Sequence, residues 1–110
     1  MLLTPDQEMI REAVRDFAQQ ELWPNAAEWD KKHHFPKDVH QGLAALGAYG
    51  ICVPEGLGGA GLDYLTLALV LEEIAAGDGG TSTAISVTNC PVNAILMKYG
   101  NAAQQEQWLR

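Results

Sequence analysis

The chain is poor in cysteine, in aromatic residues and in positive charge. Its 110 residues include two cysteines, Cys52 and Cys90, and only 7% aromatics. Two cysteines so far apart build no disulfide scaffold and match no zinc-ligand spacing, so they read as buried thiols of a reducing compartment. Seven Lys and Arg stand against fourteen Asp and Glu, a net charge of −7. An acidic surface repels phosphates, which argues against a sequence-independent nucleic-acid binder. No run of about eighteen apolar residues exists, so no membrane span is expected. The first residues, Met1-Leu2-Leu3-Thr4-Pro5-Asp6, lack the basic flank and apolar stretch of a signal peptide, and a cytoplasmic location follows as the expectation. There is no internal repeat, and no G-x-S-x-G, H-E-x-x-H or Walker motif. What remains is 47% hydrophobic and 19% charged, an ordinary globular composition for one domain or one piece of a larger protein.

The chain divides into helical units. Thr4-Pro5-Asp6-Gln7 has the cap, the proline and the glutamine of a capping box. Beyond it Ile10, Ala13, Val14, Phe17 and Ala18 form one stripe, with Glu8–Arg11 and Glu12–Arg15 as expected wet-side pairs. Pro24 breaks or kinks this helix, and a short one follows from Asn25 to about Lys32 with Ala26, Ala27 and Trp29 inward. Lys37 to Leu46 reads as a helix with Val39, Leu43 and Leu46 on one face, stopped by Gly47 and Gly50. Asp63 caps a strongly apolar helix to about Ala76. Tyr64, Leu67, Leu71 and Ile74 make one stripe, and Leu65, Ala68, Leu69 and Ala75 another, which predicts burial on two sides. Thr81 to Asn89 fits a strand by its alternation and a helix by Ala84, Val87 and Thr88. Pro91 begins a further helix with Val92, Ile95, Leu96 and Tyr99 inward and Gly100 at its end. Asn101 with Gln104 is a second capping box, and the last helix has no stop signal, as expected of a truncated piece.

Four groups could carry chemistry. Gly56-Leu57-Gly58-Gly59-Ala60-Gly61 matches G-x-G-x-x-G, but Pro54 and Glu55 intervene before it, and Glu55 would repel a pyrophosphate. No acidic residue stands where the ribose partner belongs, so the segment reads as a connecting loop. Glu72 and Glu73 point about 100° apart on a helix and cannot act as a facing acid/base couple. Asp30, His33 and His34 have ligand-like spacing, yet Lys31 and Lys32 disfavour a cation and no fourth ligand is evident. They read as a solvated helix end, and His40 carries no signal alone. Ser82, Ser86 and Cys90 recur at four-residue steps as a strip of small side chains. Such a strip admits a closely packed helix or forms a cavity wall.

On these residues alone the chain is an all-α domain with an under-covered face. Its full length resembles the N-terminal helical domain of the acyl-CoA dehydrogenase flavoproteins, with features of short-chain and branched-chain members. The resemblance rests on ordered motifs: Leu3-Thr4-Pro5-Asp6-Gln7, Val14-Arg15-Asp16-Phe17-Ala18, Ala26-Ala27-Glu28-Trp29-Asp30, Phe35-Pro36, Gly50-Ile51-Cys52-Val53-Pro54-Glu55, Gly58-Gly59-Ala60-Gly61-Leu62-Asp63-Tyr64, Leu71-Glu72-Glu73-Ile74-Ala75, Ser86-Val87-Thr88-Asn89 and Tyr99-Gly100-Asn101.

The resemblance implies an all-α orthogonal bundle of about five to six helices over residues 1–110. A middle β domain and a C-terminal helical domain would lie outside the chain. It implies an FAD enzyme, usually a homotetramer, that removes the α-proton of an acyl-CoA and passes the β-hydride to flavin. Electrons then go to an electron-transferring flavoprotein. The catalytic carboxylate belongs to the C-terminal domain and the flavin-contact segment lies downstream, so neither role falls on a residue here. The acyl-tail wall does carry over, onto Ser82, Ser86 and Cys90. Two alternatives stay open, a flavin oxidase or monooxygenase relative and a stand-alone helical interaction module.

Overall fold

The structure, a computed structural model, describes residues 2–110. It is all-α, with no strand among those residues. Helix α1 spans Pro5–Phe17, α2 Ala26–Lys32, α3 Lys37–Ala45, α4 Tyr64–Gly77, α5 Gly79–Val87, α6 Asn93–Tyr99 and α7 Ala102–Trp108. A widened turn, Thr88–Val92, runs α5 into α6 without a break. The seven segments therefore make six rods, within the expected five to six.

Local chemistry sets the boundaries. Thr4 and Gln7 close a full capping box on α1, and Asn101 and Gln104 close one on α7. Asp63 caps α4, its Oδ1 accepting from Thr66 N at 2.9 Å and from Thr66 Oγ1 at 2.7 Å. Asp78 does more than the expected helix break. It ends α4 and caps α5 at once, with Oδ2 accepting from Thr81 N at 3.1 Å. The ambiguous tract after it is helical. Ile85 is wholly buried and Val87 is 49% exposed, which is incompatible with both facing inward on a strand.

The core joins Val14, Ala18 and Leu22 of α1 and its extension to Leu67, Val70 and Ile74 of α4. Ile85, Val39, Leu43, Ala48 and Ile51 complete it. Gly77 lets α4 approach closely, since a Cβ there would stand 2.9 Å from Leu22 Cβ and 3.0 Å from Ala18 O. Helix α4 packs against both α1 and α5 and is central, as expected. Two-sided burial is not achieved. Tyr64, Ala68 and Ala75 are exposed, and Leu65, Leu69 and Leu71 are half-buried. The chain is a slab with extents of 40 × 37 × 19 Å. With helices about 10 Å across, that is two layers, so one side of most helices faces outward.

Three other expectations change. Leu46 is exposed, as are Ala13 and Ala27. Val92, at the end of the widened turn, is exposed, and on α6 Ile95 is 55% and Tyr99 73% exposed, while the inward positions are Asn89 of that turn and Asn93. Arg15 does not pair with Glu12. Its Nε and Nη2 donate to Glu73 Oε2 and Oε1 at 3.0 and 2.7 Å. A largely buried carboxylate gains far more from two charge-assisted hydrogen bonds than a solvated one does, and the guanidinium follows it.

His40 is buried, stacked on Phe35 with ring centroids 4.2 Å apart. Its Nδ1 shares a short hydrogen bond with the Tyr49 hydroxyl. Burial pushes the imidazole below its unfolded value of 6.5, against a smaller opposing pull from Asp78. The folded state therefore disfavours the proton. Above pH 6.5 both states hold neutral His40 and the burial costs nothing in pH dependence. As pH falls below 6.5 the unfolded chain takes up its proton first, and stability drops until the folded-state value is passed.

Two outcomes are expected. Urea unfolding measured from pH 7.5 to 5 loses stability below pH 6.5, and the double change His40→Leu with Tyr49→Phe flattens that slope; an unaltered slope assigns it elsewhere. Gly59→Ala would place a Cβ 2.1 Å from Val53 O, whereas Gly56 has open space. Thermal melting should show Gly59→Ala destabilised by about 3 kcal/mol, and Gly56→Ala within about 1 kcal/mol of the parent.

Candidate functional site on helix α5

Helix α5 and its continuation present two neighbouring stripes. Thr81, Ile85, Asn89 and Asn93 follow at four-residue steps and face the core. Ser82, Ser86 and Cys90, one position along, are each half-buried. Both stripes come from the same helical period, and the second carries only small side chains. Ser82 Oγ donates to Leu71 O of α4 at 3.4 Å, which anchors the top of the strip against the central helix. The expected strip thus exists as a continuous feature of one rod.

Pro91 lies inside that rod. A proline donates no N–H, and an ordinary α-helix would be broken or kinked there. The turn is widened instead, with Asn93 N–H bonding Thr88 O five residues back. Widening by one residue lets the hydrogen-bond ladder pass the missing donor.

Asn89, 1% exposed, fixes the rod to the rest of the domain. Its Oδ1 accepts from Ile51 N at 2.9 Å. Its Nδ2 donates to Ala48 O at 2.8 Å and Ile85 O at 3.0 Å. One helical turn on, Asn93 Nδ2 donates to Tyr49 O at 2.8 Å. Sequence reasoning missed both asparagines as inward residues, although each lies at a four-residue step from Ile85.

Cys52 and Cys90 are unpaired thiols packed on the same core. Burial, then Cys90 and Asp63, push the Cys52 thiol up from its ordinary value. A thiol held protonated is a poor nucleophile.

The glycine loop binds itself. Gly58 N donates to Glu55 O, Gly59 N to Pro54 O, Ala60 N to Gly50 O, Gly61 N to Val53 O and Leu62 N to Ile51 O, at 2.8–3.1 Å. No strand precedes it; Glu55–Leu57 is a single 3₁₀ turn. The amides from Leu57 to Leu62 are thus spent on the chain's own carbonyls, so the residues present do not fit the phosphate cradle of a dinucleotide. Glu72 is exposed, and Glu73, held below the usual carboxylate range by Arg15, is already paired. Asp30, His33 and His34 line a cavity of about 350 Å³ with Trp29, His40 and Asp78. Among the described residues no three His, Cys, Asp or Glu side chains come close enough to hold a metal ion.

The profile of the family described as "Acyl-CoA dehydrogenase, N-terminal domain" matches residues 4–110. The short-chain specific acyl-CoA dehydrogenase of Rattus norvegicus mitochondria is 42% identical over 102 residues, which are 93% of this chain and 25% of that protein. The mitochondrial isobutyryl-CoA dehydrogenase of Dictyostelium discoideum is 38% identical over 107 residues, 97% of this chain and 26% of the relative. The solved structure of butyryl-CoA dehydrogenase from Megasphaera elsdenii superposes with a TM-score of 0.89 at 30% identity, over 99% of this chain and 29% of that one. The chain thus spans about a quarter of the length of the relatives it matches. With matched residues from the first cap to the last helix, and the same helical fold, this chain belongs to the acyl-CoA dehydrogenase family as its N-terminal domain.

Proposed function

We propose that the protein to which this domain belongs oxidises an acyl-CoA thioester at its α and β carbons, and that the Ser82–Ser86–Cys90 strip is one wall of the acyl slot. The strip supports this reading: three small side chains follow one another at helical steps and each stays half-buried in the domain. The slot's task here is physical. The α-proton of a thioester is weakly acidic, so a base that removes it works best where water is excluded. This chain would supply a wall of small side chains and no base. Glu73 is occupied by Arg15, and Glu55 and Glu72 face outward.

The other assignments come from family resemblance. FAD would be held by middle and C-terminal domains beyond this chain, and no flavin step is assigned to a residue here. The exposed apolar side chains of the widened turn, α6 and α7, Val92, Ile95, Tyr99 and Trp108, suit a surface that those domains would cover. An electron-transferring flavoprotein would accept the electrons, and the assembly would be a homotetramer. No helix among the described residues is long and apolar enough to cross a membrane. Two unpaired cysteines favour a reducing compartment, and we place the protein in the cytoplasm.

Two measurements test the reading. The native gene product should have an intact mass several-fold above 11.9 kDa; a mass near that value would favour an interaction module. In the full-length protein Ser86→Leu should shorten the preferred acyl chain. The longest accepted substrate should lose about tenfold or more in kcat/KM, the scale of misfitting a methylene or two, while shorter ones are spared. An unchanged chain-length profile removes Ser86 from the wall.

A further inference from the structure

Asn89 belongs to neither the catalytic chemistry nor the wall, yet its side chain is bonded on every side. It accepts from the Ile51 amide and donates to the Ala48 and Ile85 carbonyls. The Ile51 peptide is bonded on its other side too, its carbonyl accepting from Leu62 N at 2.8 Å. The Ala60 and Gly61 amides tie the same turn to the glycine loop through Gly50 O and Val53 O. Gly59 packs so closely on Val53 that no side chain fits there. A chain of bonds therefore runs from the α5 rod through Asn89 to the Ala48–Val53 turn and on to the loop that leads into α4. Cys90 adjoins Asn89, and Ser86 lies one turn back, so Asn89 ties the wall to that loop, with Asn93 adding one bond to the same turn at Tyr49 O.

We propose that Asn89 is a positioning residue for acyl-chain selection. It sets how deep the Ser86–Cys90 wall lies, and thereby the chain length the slot accepts. This rests on the function proposed above. An amide is required because the site needs one acceptor and two donors at once. Aspartate keeps the shape and the acceptor for Ile51 N, but sets its second oxygen against the Ala48 and Ile85 carbonyls in place of two donors, and a proton there restores one donor.

The test uses the full-length protein with a series of straight-chain acyl-CoA substrates, measured well below the melting temperature of each variant. Asn89→Asp at pH 8 should change KM by about tenfold or more for the longer chains, with kcat changing less. Lowering the pH to about 6 should return the KM profile toward the parent's as the buried carboxyl takes up a proton. A uniform loss of kcat at every chain length, or a KM profile that ignores pH, overturns the proposal. If Asn89 variants do not accumulate, Asn93→Leu, which removes the bond to Tyr49 O, should shift the same profile by about two- to fivefold; no shift there overturns it too. Ser86→Leu run in parallel separates the two ideas. A shift with Ser86→Leu but none with the asparagine variants defeats the positioning role alone, and no shift with either defeats the wall.

Discussion

A carboxylate near the centre of the most apolar helix is tolerable only with a partner that follows it inward. Glu73 on α4 has Arg15, which donates two hydrogen bonds from α1 across fifty-eight residues of sequence. Arg11 adds its charge without bonding, its Nε buried with no hydrogen-bond partner. The fork geometry fixes how α1 is rotated against α4. That rotation places Val14, Ala18 and Leu22 over Leu67, Val70 and Ile74, and brings the backbone at Ala18 onto Gly77, the last residue of α4. The break at Asp78 and the start of α5 follow directly from where α4 ends. The Arg15 head remains half-exposed, so the pair's role is orientation more than stability.

The glycine loop shows why a motif match is not a site. A phosphate cradle needs amides that point outward and are unpaired. Here five consecutive amides from Gly58 to Leu62 turn inward onto carbonyls of the 50–55 segment. The glycines serve close packing and, at Gly47, Gly58 and Gly61, a positive φ. The domain's contribution is therefore one of shape. Its glycines let the 50–55 segment and the loop close on each other through backbone bonds alone.

What could be read from the sequence was local. Caps at Thr4, Asp63 and Asn101 depend on a residue and its third neighbour, and all three formed. The Ser82–Ser86–Cys90 strip depends on helical period alone, and it formed once the tract proved helical. What could not be read depends on residues far apart. Arg15 prefers Glu73 to Glu12 because burial, invisible in a linear pattern, raises the worth of a hydrogen bond. His40 carries no signal alone, and its partner Tyr49 comes from a different turn. Asn89 and Asn93 look like surface residues until the carbonyls of Ala48 and Tyr49 are brought beside them.

The error on α6 has the same cause and leads further. Val92, Ile95 and Tyr99 have the spacing of a buried stripe, and in this chain they face out. The reading of their chemistry as burial-seeking was sound; what failed was the assumption that the burying surface lies within these 110 residues. The open flank of α4 at Tyr64, Leu65 and Leu69 repeats the pattern on another helix. A slab 19 Å thick has no third layer to cover either face. Two apolar flanks left open on separate helices are what a domain presents when it is one layer of a larger fold. The strip on α5 is a third such flank, its small side chains only half-buried on the same slab.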